Sequence, residues 1–222
     1  MATDITDSFV RQLQLNGAAC EQKDRDLAAE ERQRQQDLID ASRFGGGQGL
    51  GGAMLGNSAG VYTQRLRWFA GQVGNRRPWD FKNNIYARGV VGPDVAVAGH
   101  AFANDTPGNV HYGFVGRALR IGRTTLTVAA GVAQVRAGTA FYELRNLPNL
   151  FDDPRDTAMI EVGMDLYDDL GLKVTAQTIE PYMARLAGEL QTLADEAARR
   201  EARKRNRQSI PIPADIFRGP KW

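Results

Sequence analysis

The 222-residue chain has a single cysteine and only two histidines, and these low counts exclude several kinds of site. With Cys20 alone, the chain cannot form an internal disulfide or a cysteine-based zinc site. With only His100 and His111, a metal site built from several histidines is not expected. A carboxylate site for magnesium or calcium stays open as an alternative. We predict a protein without a cofactor or a bound metal.

The chain also lacks long hydrophobic runs. No stretch approaches the roughly 20 consecutive apolar residues that a membrane-spanning helix needs. The polar first four residues lack the basic and then apolar layout of a signal peptide. We therefore expect a protein that is made in the cytoplasm, does not insert stably into a membrane, and needs a dedicated machine to act elsewhere.

Charge of one sign is scarce outside one short segment. The 28 Lys and Arg residues nearly balance the 26 Asp and Glu residues, and only residues 199–207 are strongly basic. A dedicated nucleic-acid binder usually carries a basic face, because neutralising phosphates supplies much of its affinity. The composition therefore disfavours nucleic acid as the main partner, and a basic helix end that suits the helix dipole is the simpler interpretation of residues 199–207.

The distribution of apolar residues and glycines predicts a mainly α protein, with an α+β arrangement as the alternative. We expect a compact helical domain with a short β hairpin within residues 85–102, flanked by N- and C-terminal helices. The polar first helix has little apolar surface to bury, so that it either packs on the edge of the domain or serves as a handle for a carrier, chaperone or other partner. The predicted segments are the polar helix 1–44, a glycine-rich linker 45–60, the main domain 61–175, and an amphipathic helix with a basic tail 176–222.

Several helices are predicted within the main domain. Apolar spacing indicates helices over residues 61–73, 112–119 and 126–135. A fourth helix has clear end signals, with Asp153 as N-cap, Pro154 at the first helical position, Asp156 three residues after the cap, and a stop at Gly171.

Small residues predict where two helices approach each other closely. Gly131, with Ala129 and Ala130 beside it, would let two helix backbones meet tightly. Gln134 would lie on or near that seam, where it serves the structure or binds a substrate.

Residues 108–116 combine three glycines with three side chains suited to chemistry. Asn109, His111 and Tyr112 offer hydrogen-bond donors and acceptors, and His111 can transfer a proton near neutral pH. We interpret this segment as part of an active site, with tight helix packing as the alternative. If His111 transfers protons, His111→Ala should abolish activity with little change in melting temperature.

Charged residues near Trp79 form a second candidate cluster. In an extended segment Asp80 and Lys82 would point the same way, so that Lys82 either forms a surface ion pair or holds a substrate group. Capping accounts for Asp153 and partly for Asp156, whereas Asp152 has no such role. Carboxylates at this density can also supply a general acid or base.

Four blocks of the sequence carry a resemblance to a known family: residues 79–82, residues 108–116, Ala130-Gly131-Val132-Ala133-Gln134, and residues 152–156 with 160–167. In this order they resemble the bacterial polymorphic toxin type 44 domain. They cover about residues 61–171, and the similarity departs at Leu119-Arg120-Ile121, where the family more often has a small residue, glycine and an aromatic.

The resemblance implies an antibacterial toxin that a secretion machine, commonly the type VI apparatus, delivers to competitors. It also implies a cognate immunity protein in the producing cell. Carried over residue by residue, the resemblance gives a site set to which we add Trp79 and Gln134 as substrate-binding residues. The set is Asp80, Lys82, Asn109, His111, Tyr112, Asp153 and Asp156.

Two chemistries compete for this site. In the first, Asp80 and either Asp153 or Asp156 cleave the glycan strand of peptidoglycan in the target periplasm, with Asn109, His111 and Tyr112 binding sugar or orienting water. In the second, the protein is a ribonuclease of the target cytoplasm, with His111 as general acid or base and Lys82 stabilising the phosphate. A non-enzymatic phage or secretion module is the third alternative.

Overall fold

The structure is a computed structural model, and it describes residues 2–44, 50–74, 76–80, 94–137 and 153–208. The described part is mainly α with a small three-stranded sheet, which confirms the predicted fold class. The helices are α1 (Thr6–Phe44), α2 (Leu50–Val73), α3 (Thr106–Ala118), α4 (Arg123–Ala137), α5 (Pro154–Leu170) and α6 (Ala176–Gln208).

The predicted β hairpin lies at the end of the predicted range. Strand β2 (Asp94–Val97) pairs antiparallel with β3 (His100–Ala103), and Ala98 and Gly99 form the turn. Both turn residues have positive φ, as the favoured two-residue hairpin turn requires. Residues 85–93, also placed within the predicted hairpin segment, lie outside the described residues.

The N-terminus joins this hairpin. The two-residue strand β1 (Thr3–Asp4) pairs parallel with β2, so the strand order is β1-β2-β3. The hydroxyl of Thr6 then accepts a hydrogen bond from the backbone N–H of Ala98 at 2.7 Å. The sheet therefore ties the beginning of α1 to a segment more than ninety residues later in the chain.

The first half of α1 belongs to the common hydrophobic core, which is closer packing than the predicted position at the edge of the domain; the role as a handle stays a prediction. Phe9, Leu13, Cys20 and Leu27 are buried, and the first three pack in one cluster with the helices of the main domain. Helix α1 is polar when its whole length is considered, but a narrow apolar stripe along its first turns is sufficient for packing against the core. Residues 28–41 are mostly exposed.

Helices α3 and α5 approach each other closely. A β-carbon added to Gly113 would collide with the carbonyl oxygen of Ile160, and one added to Gly163 would collide with that of Val110. Of the small residues predicted to form a tight seam, Ala129 is exposed and Ala130 is half-buried against the core, whereas the surroundings of Gly131 lie outside the described part of the structure. Glycine content alone does not show which face of a helix meets a neighbour.

The boundaries of two other helices bear on the predictions. Helix α5 has Asp153 as N-cap, Pro154 at its first position and Gly171 at its C-terminal end, as predicted. Helix α2 begins at Leu50 and not at Val61, because leucine, methionine and alanine favour helix within the glycine-rich segment. None of the helices in the described part of the chain is apolar over a sufficient length to cross a membrane.

Candidate functional site

Helices α3 and α5 run parallel, so their N-terminal ends lie at the same end of the molecule. The amide nitrogen of Asn109 lies 2.9 Å from Oδ1 of Asp156, near both helix starts. Nearer the C-terminal ends of both helices, Nε of Arg117 lies 2.8 Å from Oδ1 of Asp168. The pairing advances in the same direction along both helices, which fixes their relative orientation.

Helix α2 runs antiparallel to α3 and brings a third segment to the same end. Its Tyr62 donates a hydrogen bond to Thr125, which lies beyond the C-terminal end of α3. Its Phe69 packs against Tyr112, with 5.1 Å between ring centroids. The loop after α2, which carries Trp79, therefore reaches the N-terminal half of α3. We call this region, made of loop 76–80 and the first turns of α3 and α5, the site end.

The Asn109–Asp156 contact connects two of the predicted site residues. Both side chains are half-buried, and Asn109 donates to the carboxylate of Asp156 while its amide also approaches the sulfur of Met159. The backbone N–H groups of the first turn of α5 add a positive potential that favours negative charge there. Asp156 is thus a carboxylate with a fixed position and a favourable electrostatic environment.

Asp153 has a different role from Asp156. Its Oδ1 accepts a hydrogen bond from the backbone N–H of Arg155 at 3.0 Å, and its exposed side chain caps α5. This contact is the capping function that the sequence indicates. Of the two carboxylates that were alternatives for the site, Asp156 is the one held by another predicted site residue.

His111 is enclosed by protein. It is 1% exposed, and its Nε2 lies 2.9 Å from the side-chain nitrogen of Asn16 in α1. Burial lowers the pKa of His111 to about 3, so the imidazole is neutral at physiological pH. The side chain therefore does not reach the surface in this structure, as a general acid or base in contact with substrate would have to.

The remaining predicted residues divide between contacts inside the fold and positions outside the described part. The hydroxyl of Tyr112 donates to the carbonyl oxygen of Leu126 at 3.1 Å, which links α3 to α4. Lys82 lies outside the described residues. Gln134 lies in α4, but its side chain is outside the described part of the structure.

Trp79 and Asp80 are half-buried in the loop after α2. The Trp79 ring meets Trp68 edge-on at 5.5 Å and His111 edge-on at 6.0 Å between centroids. Oδ2 of Asp80 accepts a hydrogen bond from the backbone N–H of Arg76 at 2.6 Å. These contacts fix an aromatic ring and a carboxylate on two consecutive residues of this loop.

Sequence reasoning missed three polar residues near the site end. Asn16 gave no signal because its partner is 95 positions away. Oδ1 of Asp105 and Oγ1 of Thr106, at the start of α3, are buried and have no hydrogen-bond partner among the described residues. Asp105 precedes Pro107 in a polar loop, which is an N-cap pattern that could have indicated its position.

No three His, Cys, Asp or Glu side chains converge as a metal site would need, within the ranges that the structure describes. The other histidine, His100, lies in β3 with its Nε2 3.4 Å from Glu180. The chemical groups that the described residues bring to the site end are the carboxylates of Asp80 and Asp156, the amide of Asn109 and the aromatic ring of Trp79.

Residues 67–169 match the family model described as Bacterial toxin 44. The match supports a polymorphic toxin domain over this segment, which we call the toxin domain. Neither a curated protein nor a solved structure matches the chain. The toxin domain includes loop 76–80, α3 and α5, and hence the whole site end, whereas Asn16 and the rest of α1 precede it.

Proposed function

We propose that the chain is an antibacterial effector that hydrolyses the glycan strands of peptidoglycan in the periplasm of the target cell. The family match supplies the toxin role. We further propose that a secretion machine, such as the type VI apparatus with a carrier or chaperone, delivers the protein. A cognate immunity protein would neutralise it in the producing cell.

The observation that carries this proposal is the fixed carboxylate of Asp156 at the site end. Asn109 holds it from the facing helix at 2.9 Å. Loop 76–80 brings a second carboxylate, Asp80, to the same end of the molecule. Glycosidic cleavage requires two carboxyl groups, one to protonate the leaving oxygen and one to act on the other side of the sugar ring. Asp80 and Asp156 are our assignment for this pair.

The neighbouring side chains suit sugar binding. Trp79 is half-buried beside Asp80 and offers an aromatic surface, and the amide of Asn109 can hydrogen-bond a sugar hydroxyl. Tyr112 supports the site by joining α3 to α4. His111 takes an indirect role in this proposal, because its ring is buried.

The burial of His111 disfavours the ribonuclease alternative. That mechanism needs the imidazole within hydrogen-bond reach of a ribose hydroxyl or a leaving oxygen. At 1% exposure and with a pKa lowered to about 3, His111 is neither accessible nor able to change its charge near pH 7. Some arginines that could bind phosphate are also paired with carboxylates of another helix, as Arg123 is with Asp165 and Asp168.

The experiment compares killing by the chain with and without an export signal in a susceptible bacterium. We expect lysis only with export, and cleaved glycan strands when the cell wall is analysed for muropeptides. Asp156→Asn should abolish lysis at equal protein level. Asp195→Asn, an exposed carboxylate of α6 paired within its own helix, is the matched control and should lyse as the unchanged chain does.

Two results would contradict the proposal. Growth arrest by the chain without export would indicate a cytoplasmic target, and RNA would then be examined first. Lysis by Asp156→Asn equal to that by Asp195→Asn would remove Asp156 from the chemistry.

A further inference from the structure

Asn16 lies in α1, fifty-one positions before the matched toxin segment begins. Its side chain is 9% exposed and reaches into the interior between α1 and α3. Its amide nitrogen is 2.9 Å from Nε2 of His111, and this is a hydrogen bond between two buried side chains. A buried polar pair of this kind is costly to break, because the remaining partner would lose its hydrogen bond without regaining water.

The contact determines where His111 carries its proton. An amide NH₂ group can only donate, so Nε2 of His111 accepts and the proton lies on Nδ1. Burial keeps the ring neutral. Asn16 therefore selects one tautomer and one ring orientation.

The ring of His111 in turn supports the loop that carries Asp80. It meets the Trp79 indole edge-on, at 90° and with 6.0 Å between centroids. Trp68 of α2 also packs edge-on against the Trp79 ring, with 5.5 Å between centroids. Trp79 is thus held between α2 and α3, and Asp80 is the next residue. A shift of the His111 ring would release one of these two supports.

We propose that Asn16 is a positioning residue of the toxin site, which holds the His111 ring and through it Trp79 and the adjoining Asp80. The importance of Asp80 rests on the proposed function, whereas the contacts from Asn16 to His111 and from His111 to Trp79 are independent of it. The proposal makes α1 a working part of the toxin domain and not a separate handle.

The competing explanation is that Asn16 only satisfies a buried histidine and stabilises the core. To separate the two, we compare Asn16→Leu with Gln14→Leu in the full chain. Gln14 lies on the same helix, and its amide donates to the carbonyl oxygen of Val174 at 2.7 Å. The control therefore also removes one long-range amide hydrogen bond of α1, but away from His111.

Three properties are measured for each variant: melting temperature, killing in the export assay at equal protein level, and ¹⁵N-detected NMR of the His111 ring and the Trp79 indole. Trp79→Phe assigns the indole signal among the three tryptophans. We expect Asn16→Leu to change the His111 and Trp79 signals and to reduce killing about tenfold or more relative to Gln14→Leu, because small displacements of catalytic groups are costly. Equal killing and unchanged Trp79 signals would overturn the proposal.

Asn16→Asp decides the question if Asn16→Leu does not fold. A carboxylate can only accept from the ring, so the proton of His111 should move to Nε2 while the ring stays in place. The proposal is supported if the Trp79 signals and killing are both retained, or if the Trp79 signals change and killing is lost. It is overturned if only one of the two properties changes. If Asp80→Asn still kills, the role of Asp80 fails, and the NMR data alone decide whether Asn16 positions Trp79.

Discussion

Arg120 adopts a left-handed backbone conformation, with φ of 57°, just after the end of α3. This conformation suits glycine and costs other residues about 1 kcal/mol or more. The side chain of Arg120 reaches Asp24 of α1, with Nε 3.0 Å from Oδ2. Asp24 also pairs with Arg65 of α2. The segment that departs from the family pattern, Leu119-Arg120-Ile121, therefore contacts α1 in this chain.

Replacing Arg120 by glycine should have little effect on stability. The change relieves the backbone strain but removes an ion pair whose arginine side chain is 76% exposed, and exposed pairs contribute about 1 kcal/mol or less. We expect Arg120→Gly to change the free energy of unfolding by less than about 1 kcal/mol. Chemical denaturation of both proteins measures this difference.

Asp24→Asn is the contrasting variant. It leaves Arg65, whose side chain is 19% exposed, without its carboxylate, and breaking such a pair costs about 3 kcal/mol. If Arg120→Gly lowers the free energy of unfolding more than Asp24→Asn does, our account of Arg120 is wrong. The Arg120–Asp24 ion pair would then contribute more to stability than the backbone strain costs.

His111 should make the free energy of unfolding depend on pH. Its pKa is about 3 in the folded protein and about 6.5 in the unfolded chain, so only the unfolded state takes up the proton between these values. Stability is complete above pH 6.5 and falls as the pH decreases toward 3, by up to about 1.4 kcal/mol per pH unit. His111→Gln should remove this part of the pH dependence, which denaturation at pH 7, 6, 5 and 4 measures for both proteins.

Parallel pH curves for the two proteins would contradict the buried neutral state of His111. The same burial changes what is expected of His111→Ala. The sequence predicts lost activity at an unchanged melting temperature. The structure predicts a lower melting temperature, because Asn16 and Trp79 both lose a partner.

At the scale of the helices, the contact between α3 and α5 leaves no room for a larger side chain at Gly163. Gly163→Ala would drive a methyl group into the carbonyl oxygen of Val110, and backbone cannot yield as a flexible side chain does. We expect a loss of about 3 kcal/mol in the free energy of unfolding, together with lost toxicity, because Asn109 and Asp156 sit on these two helices. Thermal unfolding and the export assay test both effects.

Gly188→Ala provides the matched control. Gly188 lies inside α6 with open space around its Cα, so alanine there should stabilise the helix by up to about 1 kcal/mol. Opposite signs for the two substitutions are expected. A stable Gly163→Ala protein would mean that α3 and α5 can separate without loss, and that their tight contact does not hold the site end together.

For the whole molecule, the structure predicts that the main domain defined from sequence does not fold alone. Residues 61–175 lack β1, the buried Phe9 and Leu13 of α1, and the buried Ile179 and Met183 of α6. These apolar groups complete one core with α3 and α5. We expect residues 61–175 to show no cooperative thermal unfolding by circular dichroism, whereas the full chain does. Cooperative unfolding of the shorter chain would show that α1 and α6 only decorate an independent domain.

The site end also depends on a residue outside the toxin domain. Asp80, Asn109 and Asp156 come from three segments of the toxin domain, but Asn16 comes from outside it. Activity should therefore depend on residues before position 67, even though the family model begins there.

What the sequence by itself determined is local. Asp153, Pro154 and Gly171 set the ends of α5, and Ala98 and Gly99 set the hairpin turn, because caps and turns depend on residues within a few positions. The order of motifs also identified the toxin domain. These features required no knowledge of which helices are neighbours.

Only the tertiary structure decided which side chains are accessible. Burial and pairing depend on segments far apart in the chain, so nothing near His111 showed that Asn16 would enclose it. In the same way, the Asn109–Asp156 contact follows from the parallel packing that Gly113 and Gly163 permit. A histidine in a glycine-rich motif looks the same in sequence whether it faces substrate or core, because the difference is made by a helix that lies across it.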